Sequence, residues 1–268
     1  MSERENRFCF VSPMFNASDY VGQMLASVVA QSYQNWRIIL IDDMSDKGAN
    51  GILGHAEKQR FIVQTWDGLI NCENRGGRIK LIQNTEKKWE VANVLHGISL
   101  CKDDDIICRL DADDWLTDVD ALKFLNALYN QTDADALWSA HRWGFSDRNI
   151  SGPMPSDADP YKYPWVSSHL KTFRKRLLNG VPYENFTNEA GELVRRAGDQ
   201  AIYLPVLHHA TRRGYVPRVY YHYTINDVPE TYQTDDARFQ RDEAIFIRER
   251  GYVSTGEPWE TVIARKTK

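Results

Sequence analysis

The sequence predicts an α/β fold: an open, mostly parallel sheet with helices on both faces, joined to a smaller helix-rich region. Three observations predict it. Apolar β-forming runs alternate with helix-period segments through the first 145 residues. The best of these runs is nearly unbroken by polar residues, as expected for a parallel strand covered on both faces. Acidic or polar clusters stand at the ends of three runs, where open sheets of this class bind ligands.

Phe8–Phe15 (FCFVSPMF) reads as a short buried strand that Pro13 ends or bends. Asn16, Ser18 and Asp19 offer N-cap chemistry for a helix over Tyr20–Ser32. Within it Tyr20, Met24, Leu25, Val28 and Val29 recur at helical spacing. Trp36–Ile41 (WRIILI) is a second strand, stopping at Asp42 and Asp43. Ile79–Ile82 is a third strand, Trp89–Leu100 a helix, and Ile106–Leu110 a fourth strand ending at Asp111. Asp118–Asn130 reads as a helix and Ala136–Trp143 as a strand. Residues 146–165 contain Pro153, Pro155, Pro160 and Pro164 and read as a long loop. Ser167 to about Arg213 is expected to be helix-rich, Tyr215–Ile225 a strand, and Asp235–Arg250 a solvated helix with alternating charges.

The chain has 268 residues, enough to bury a sizeable core, and 42% of them are hydrophobic. A net charge of −4 argues against nucleic-acid binding through the global field and leaves only local basic patches. Thirteen Tyr and eight Trp can stack on sugars or bases, but core filling is their commoner use. Cys9, Cys72, Cys101 and Cys108 form no C-x-x-C pair, so buried reduced thiols are expected. The N-terminal stretch MSERENR has no apolar core, and no apolar run reaches membrane-spanning length. A cytoplasmic protein without an integral membrane segment is therefore expected.

The central cluster is Asp111-Ala112-Asp113-Asp114. Alternate residues of an extended segment point the same way, so Asp111 and Asp113 can share one ligand. Their hard oxygen donors suit Mg²⁺ or Mn²⁺, which take further ligands from water and substrate phosphates. Neither His nor Cys lies nearby in the chain, which disfavours zinc.

Three segments, VSPMFN, SVVAQSYQNWRIILIDDMSD and ICRLDADDWL, resemble glycosyltransferase family 2 in order and spacing. The positions that match are Pro13, Phe15, Asn16, Gln31, Ser32, Tyr33, Asp42, Asp43 and Ser45. The resemblance covers about residues 7–145 well and the remainder loosely. It implies a GT-A fold, with 1–145 as the nucleotide-sugar (donor) half and 146–268 as the acceptor half of one domain. It implies inverting transfer from a nucleoside-diphosphate sugar, a UDP-sugar foremost, with Mn²⁺ or Mg²⁺, to a glycan or glycolipid hydroxyl. Pro13 and Phe15 would floor the nucleotide base and Asp42 or Asp43 would accept from its ring N–H. Asp111 and Asp113, with Ala112 between them, would hold the metal and diphosphate, and Asn16 and Asn93 are further donor contacts. Two departures stand out: Met44 replaces the usual Gly, and Asn93 lies in an altered VANVLHGI segment.

The resemblance also implies a proton-accepting carboxylate at a helix start in the acceptor half, often one of an acidic pair. The matching segment is Ala197-Gly198-Asp199-Gln200, so Asp199 is the candidate and Gly198 stands where the family has Glu. An N-cap role would also explain Asp199. His208 and His209 follow on the same helix, and the basic run Lys171, Arg174, Lys175, Arg176 borders the acceptor side or forms a solvated helix face.

Two other readings stay open at this stage. One is a phage-type enzyme, acting in the host cytoplasm, that glycosylates hydroxymethylated bases such as 5-hydroxymethylcytosine in DNA. The basic run, together with Arg195, Arg196, Arg212, Arg213 and Arg218, would contact phosphate. The other is a non-catalytic sugar-nucleotide-binding protein, favoured by Gly198 and opposed by the intact Asp111-Ala112-Asp113. The oligomeric state is not encoded in any motif.

Overall fold

Strands β1 (Phe8–Met14), β2 (Trp36–Asp42), β3 (Ile79–Gln83) and β4 (Ile106–Arg109) form the parallel half of a sheet. The computed structural model describes residues 4–46, 78–225 and 235–266. The rest of the sheet comes from β5 (Trp115–Leu116), β6 (Ala136–Trp143), β7 (Lys171–Arg174) and β8 (Arg213–Tyr223). The strand order is β3-β2-β1-β4-β7-β6-β8-β5. β7 is antiparallel to both β4 and β6, and β5 is antiparallel to β8, so the sheet is mixed beyond β4. Because β7 belongs to the second half of the chain yet sits between two strands of the first, one sheet runs through both halves.

Period-two alternation splits each buried strand between two cores. Cys9 and Val11 of β1, with Ile39 and Ile41 of β2, face one cluster; Phe8 and Phe10, with Ile38 and Leu40, face the other. The first cluster is covered by helices α2 (Trp89–Ser99), α4 (Gly198–His209) and α6 (Trp259–Lys266). The second is covered by α1 (Val21–Val29) and α3 (Ala121–Thr132). Each Phe or Ile removed from water contributes about 1.5–3 kcal/mol, which fixes the strand register. Gly97 lets α2 rest on β1, since a Cβ there would stand 2.5 Å from Val11 Cγ1.

The expected strands and helices of the first 143 residues appear with ends shifted by a few residues, and β5 is an addition. The expected helix-rich segment after Ser167 is corrected. It holds strand β7, 3₁₀ turns at Lys175–Leu178 and Tyr183–Phe186, and one α-helix. The basic letters of Lys171-Thr172-Phe173-Arg174 hid a strand whose four residues are all buried. Helix α5 (Asp235–Arg250) forms as expected, but it is not wholly solvated: Glu243 and Ile247 are buried. Cys9, Cys101 and Cys108 are buried free thiols, whereas Cys72 lies outside the described residues. Among the described residues no helix is long and apolar enough to cross a membrane.

Candidate active site

The carboxyl ends of β1, β2 and β4 meet along one edge, as their parallel pairing requires. At the β1 end Phe15 is half exposed, with the Lys87 ammonium 2.8 Å from its ring centroid. Asn16 takes φ +53, a left-handed turn that Asn tolerates. Its side chain grips the β2 loop, donating to Asp46 Oδ2 at 2.9 Å and accepting from the Asp46 N–H at 3.0 Å. Pro13 is half-buried, paired in register with Ile41.

Asp42 and Asp43 are buried, against the expectation that strand-end carboxylates stand open to the crevice. Asp42 Oδ1 accepts from the Ser45 hydroxyl at 2.5 Å and its N–H at 3.1 Å. Asp43 accepts from the backbone N–H groups of Lys88 (2.8 Å) and Trp89 (2.9 Å), capping α2 from a neighbouring strand. Asn84 bridges Asp43 and the buried Asn93, at 2.9 and 2.7 Å. Burial alone would raise the Asp43 carboxyl, but the nearby Asn93 amide and hydrogen bonds from Lys88, Asn84 and Trp89 hold it below the usual carboxylate range.

At the β4 end Asp111 is part-exposed and Ala112 is buried. The buried Arg109 guanidinium donates to Val11 O at 2.8 Å, Glu90 Oε1 at 3.0 Å and Asp111 Oδ1 at 3.1 Å. Antiparallel pairing of β5 with β8 sets Leu116 opposite Tyr221. The Tyr221 hydroxyl lies 2.5 Å from Asp114 Oδ2, to which it donates, and 3.3 Å from Asp111 Oδ2. Thr224 donates its N–H to Asp114 Oδ1 at 2.7 Å and its hydroxyl to the Asp113 carbonyl. Burial, with Asp111 and Asp113 nearby, pushes Asp114 up to about 8. Asp114 and Tyr221 thus brace the loop, leaving Asp111 and Asp113 as its part-exposed carboxylates.

A second charged cluster centres on Asp199, in the first turn of α4. Lys171, 1% exposed, places Nζ 2.7 Å from Asp199 Oδ1, and His169 Nε2 lies 3.9 Å from Oδ2. Burial would raise this carboxyl, but Lys171, His169 and Arg109 outweigh it and hold Asp199 well below the carboxylate range. His169 stacks on Tyr221 at 4.4 Å, so one aromatic pair joins the Asp111 loop to the Asp199 cluster. Glu243 of α5 accepts the N–H groups of Arg195, Arg196 and Ala197 at 2.8–3.2 Å, which fixes the start of α4. Lys87, Arg195 and Arg196 gather around the Trp89 ring at 5.3–5.6 Å from its centroid.

Tyr221, Arg109, Glu90 and Glu243 had no sequence signal, because each acts through a strand pairing or helix contact. His208 and His209 lie at the far end of α4, about 15 Å of helix from Asp199. There His208 stacks on Tyr252 at 4.1 Å and His209 Nδ1 meets Leu177 O at 2.8 Å, so neither joins the site. Lys175 pairs with Asp103 at 2.7 Å and Arg174 donates to Ala134 O at 2.9 Å. Lys171, Arg174 and Lys175 are buried, so Arg176 is the one exposed side chain of the basic run. The one three-ligand Cys/Asp group among the described residues, Cys9, Cys101 and Asp105, lies toward the opposite edge of the sheet.

Part of the chain is 40% identical over 90 residues to TuaG of Bacillus subtilis (strain 168), named as a teichuronic acid biosynthesis glycosyltransferase. A second relative, EpsE from the same organism, named as a glycosyltransferase, is 32% identical over 101 residues. These matches cover 30% and 38% of this chain, and only 36% and 31% of the relatives. The fold resembles S. aureus TarS 1–349 in complex with UDP-GlcNAc (TM-score 0.64, 16% identity, 97% of this chain, 71% of that one). It also resembles the mannosyltransferase PcManGT of Pyrobaculum calidifontis in complex with GDP-Man and Mn²⁺ (TM-score 0.57, 14% identity, 97% of this chain, 68% of that one). These likenesses establish a GT-A fold. The family model described as glycosyl transferase family 2 matches residues 9–186, and the chain therefore belongs to glycosyltransferase family 2.

Proposed function

We propose that the protein transfers a sugar, with inversion, from a nucleoside-diphosphate sugar to the hydroxyl of a glycan or glycolipid, and that the donor is a UDP-sugar. The observation that carries this reading is the continuous chain of contacts from Asp111 through Arg109 and Glu90 to the Gly198-Asp199 helix start. In this reading the donor-side and acceptor-side carboxylates face one crevice at the strand ends. The UDP-sugar assignment takes its support from the UDP-GlcNAc complex of TarS, and the glycan acceptor from the name of the Bacillus relative.

In this reading Phe15 and Pro13 floor the base, and Asp42 or Asp43 selects it through a ring N–H. Asn16 and Asn93 hold the two loops that form that pocket. Asp111 and Asp113, flanking Ala112, are hard, part-exposed oxygen donors and fit Mn²⁺ or Mg²⁺. When bound, the ion neutralises charge on the departing diphosphate. Asp199, kept ionised by Lys171, accepts the hydrogen bond of the attacking hydroxyl and serves as the acceptor-side base.

Thermal-shift measurements with UDP-GlcNAc, UDP-glucose and GDP-mannose, each with and without Mn²⁺, test the donor assignment. A Mn²⁺-dependent rise with a UDP-sugar is expected. A rise with GDP-mannose alone would overturn the nucleotide assignment, and no rise with any donor would overturn the donor-site reading.

A further inference from the structure

Gly198 has no side chain, and its place is taken by another residue. A Cβ built on Gly198 would stand 2.5 Å from Glu90 Cδ and 2.7 Å from Glu90 Oε1. The carboxyl group of Glu90, from the first turn of α2, therefore lies against the Gly198 backbone, next in the chain to Asp199. A side chain at 198 would force the Glu90 carboxyl to shift. Arg109 holds Glu90 from the sheet side and ties it to Asp111. The Glu90 side chain is part-buried, 31% exposed, with its carboxyl anchored by Arg109.

We propose that the acceptor-side base is a carboxylate pair, Glu90 with Asp199, and that the proton of the attacking hydroxyl comes to rest on Glu90. The inference rests on the transferase reading above and deepens it. The hydroxyl O–H bond breaks and its proton passes to the pair. The oxygen electron pair forms the new bond to the anomeric carbon. The bond from that carbon to the diphosphate oxygen breaks, and its electrons leave with the diphosphate.

The charges around the two groups divide the work. Asp199 faces the Lys171 ammonium and His169, which favour its ionised form and make it a weak resting place for a proton. The charges acting on Glu90 are Arg109 from β4, to which it is paired, and Asp199, Asp111 and Lys171. Burial is the largest influence on Glu90 and, against the opposing pull of Arg109, pushes it up to about 7, with Asp199 and Asp111 adding to the rise. Two carboxylates in one site separate in this way, and their titration belongs to the pair.

The test is UDP release from UDP-GlcNAc with Mn²⁺, water serving as the acceptor, followed from pH 5 to 9 in wild type, Glu90→Gln and Asp199→Asn. UDP binding by thermal shift is read in parallel, since Glu90→Gln leaves Arg109 its Asp111 and Val11 partners. The expected result is a wild-type rate that falls on the acid side of pH 7. Glu90→Gln should lose about 10²–10⁴-fold in rate together with that acid limb, while UDP binding stays within about threefold. Glu90→Gln with a near wild-type rate and an unchanged acid limb, beside an impaired Asp199→Asn, would overturn the pair and leave Asp199 as the base. Full rates in both variants would overturn the acceptor-side reading itself.

Discussion

Lys171 Nζ stands 2.7 Å from Asp199 Oδ1, and the lysine is 1% exposed. A lysine buried in a central strand of a sheet is costly unless its charge is matched. Asp199 supplies the match from the start of α4, and Glu243 secures that helix start through three backbone N–H groups. The surroundings of Asp199 are thus a charged assembly drawn from β7, α4 and α5.

Asp199→Asn should lower transfer by roughly 10²–10⁴-fold, as expected for loss of a positioned base. It should also destabilise the fold, because Lys171 is left buried without its anion. With Asp199 about one-third exposed, the cost is about 1–3 kcal/mol, below that of a fully buried pair. Combining it with Lys171→Met should recover stability without recovering transfer. Chemical denaturation and a transfer assay on both variants check this, and recovery of transfer in the double variant contradicts it.

Asp113→Ala should abolish Mn²⁺-dependent donor stabilisation while the chain stays folded, because Asp113 is part-exposed at the loop. A donor at 100 times its Kd stabilises a protein by about 2.7 kcal/mol, and that increment should vanish. Excess EDTA should have the same effect on wild type. An undiminished shift in either case removes the metal assignment.

Tyr221→Phe deletes the hydroxyl shared by Asp114 and Asp111 without changing the His169 stack. The expected cost is about 1–2 kcal/mol in stability, with weaker Mn²⁺ binding by about tenfold as Asp111 loses its brace. Titration calorimetry with Mn²⁺ and UDP measures the second effect. Unaltered affinity would confine Tyr221 to a packing role.

Asp43→Ala should destabilise the protein by about 1–2 kcal/mol, because the carboxylate caps α2. The Asp43 carboxyl lies below the usual range in the folded chain, so its ionised form favours folding. That contribution is complete above about pH 4 and is lost as pH falls through the lower folded value. Wild type and Asp43→Ala should therefore differ in stability at neutral pH and converge in strong acid. A constant difference across the acid range would show that Asp43 acts through packing alone. Asp42→Ala, which breaks only the Ser45 contacts, should affect UDP binding more than stability.

The parallel half of the sheet was legible in the residues alone. The apolar runs of Phe8–Met14 and Trp36–Asp42 serve two cores at once, and helical spacing in Val21–Val29 marks the face that covers one of them. Such patterns are local, so periodicity reports them. The Asp42-Asp43 and Asp111-Ala112-Asp113 clusters were legible for the same reason: strand ends place them, whatever the rest of the chain does.

Only the tertiary structure decided which charges belong to the site and which to the core. Lys171 and Arg174 look like surface residues in a list of letters, but long-range pairing with β4 and β6 carries them inside, where Asp199 and backbone carbonyls match them. Tyr221 reaches Asp111 because β5 pairs with β8 across 105 residues of chain, a contact no local pattern encodes. Glu90 reads as one more acidic letter in a helix start. It stands beside Asp199 because α2 and α4 pack on the same face of the sheet and a glycine at 198 leaves room for its carboxyl group. Local sequence specifies elements through backbone sterics and burial period; the meeting of charges from distant elements follows from how those elements pack.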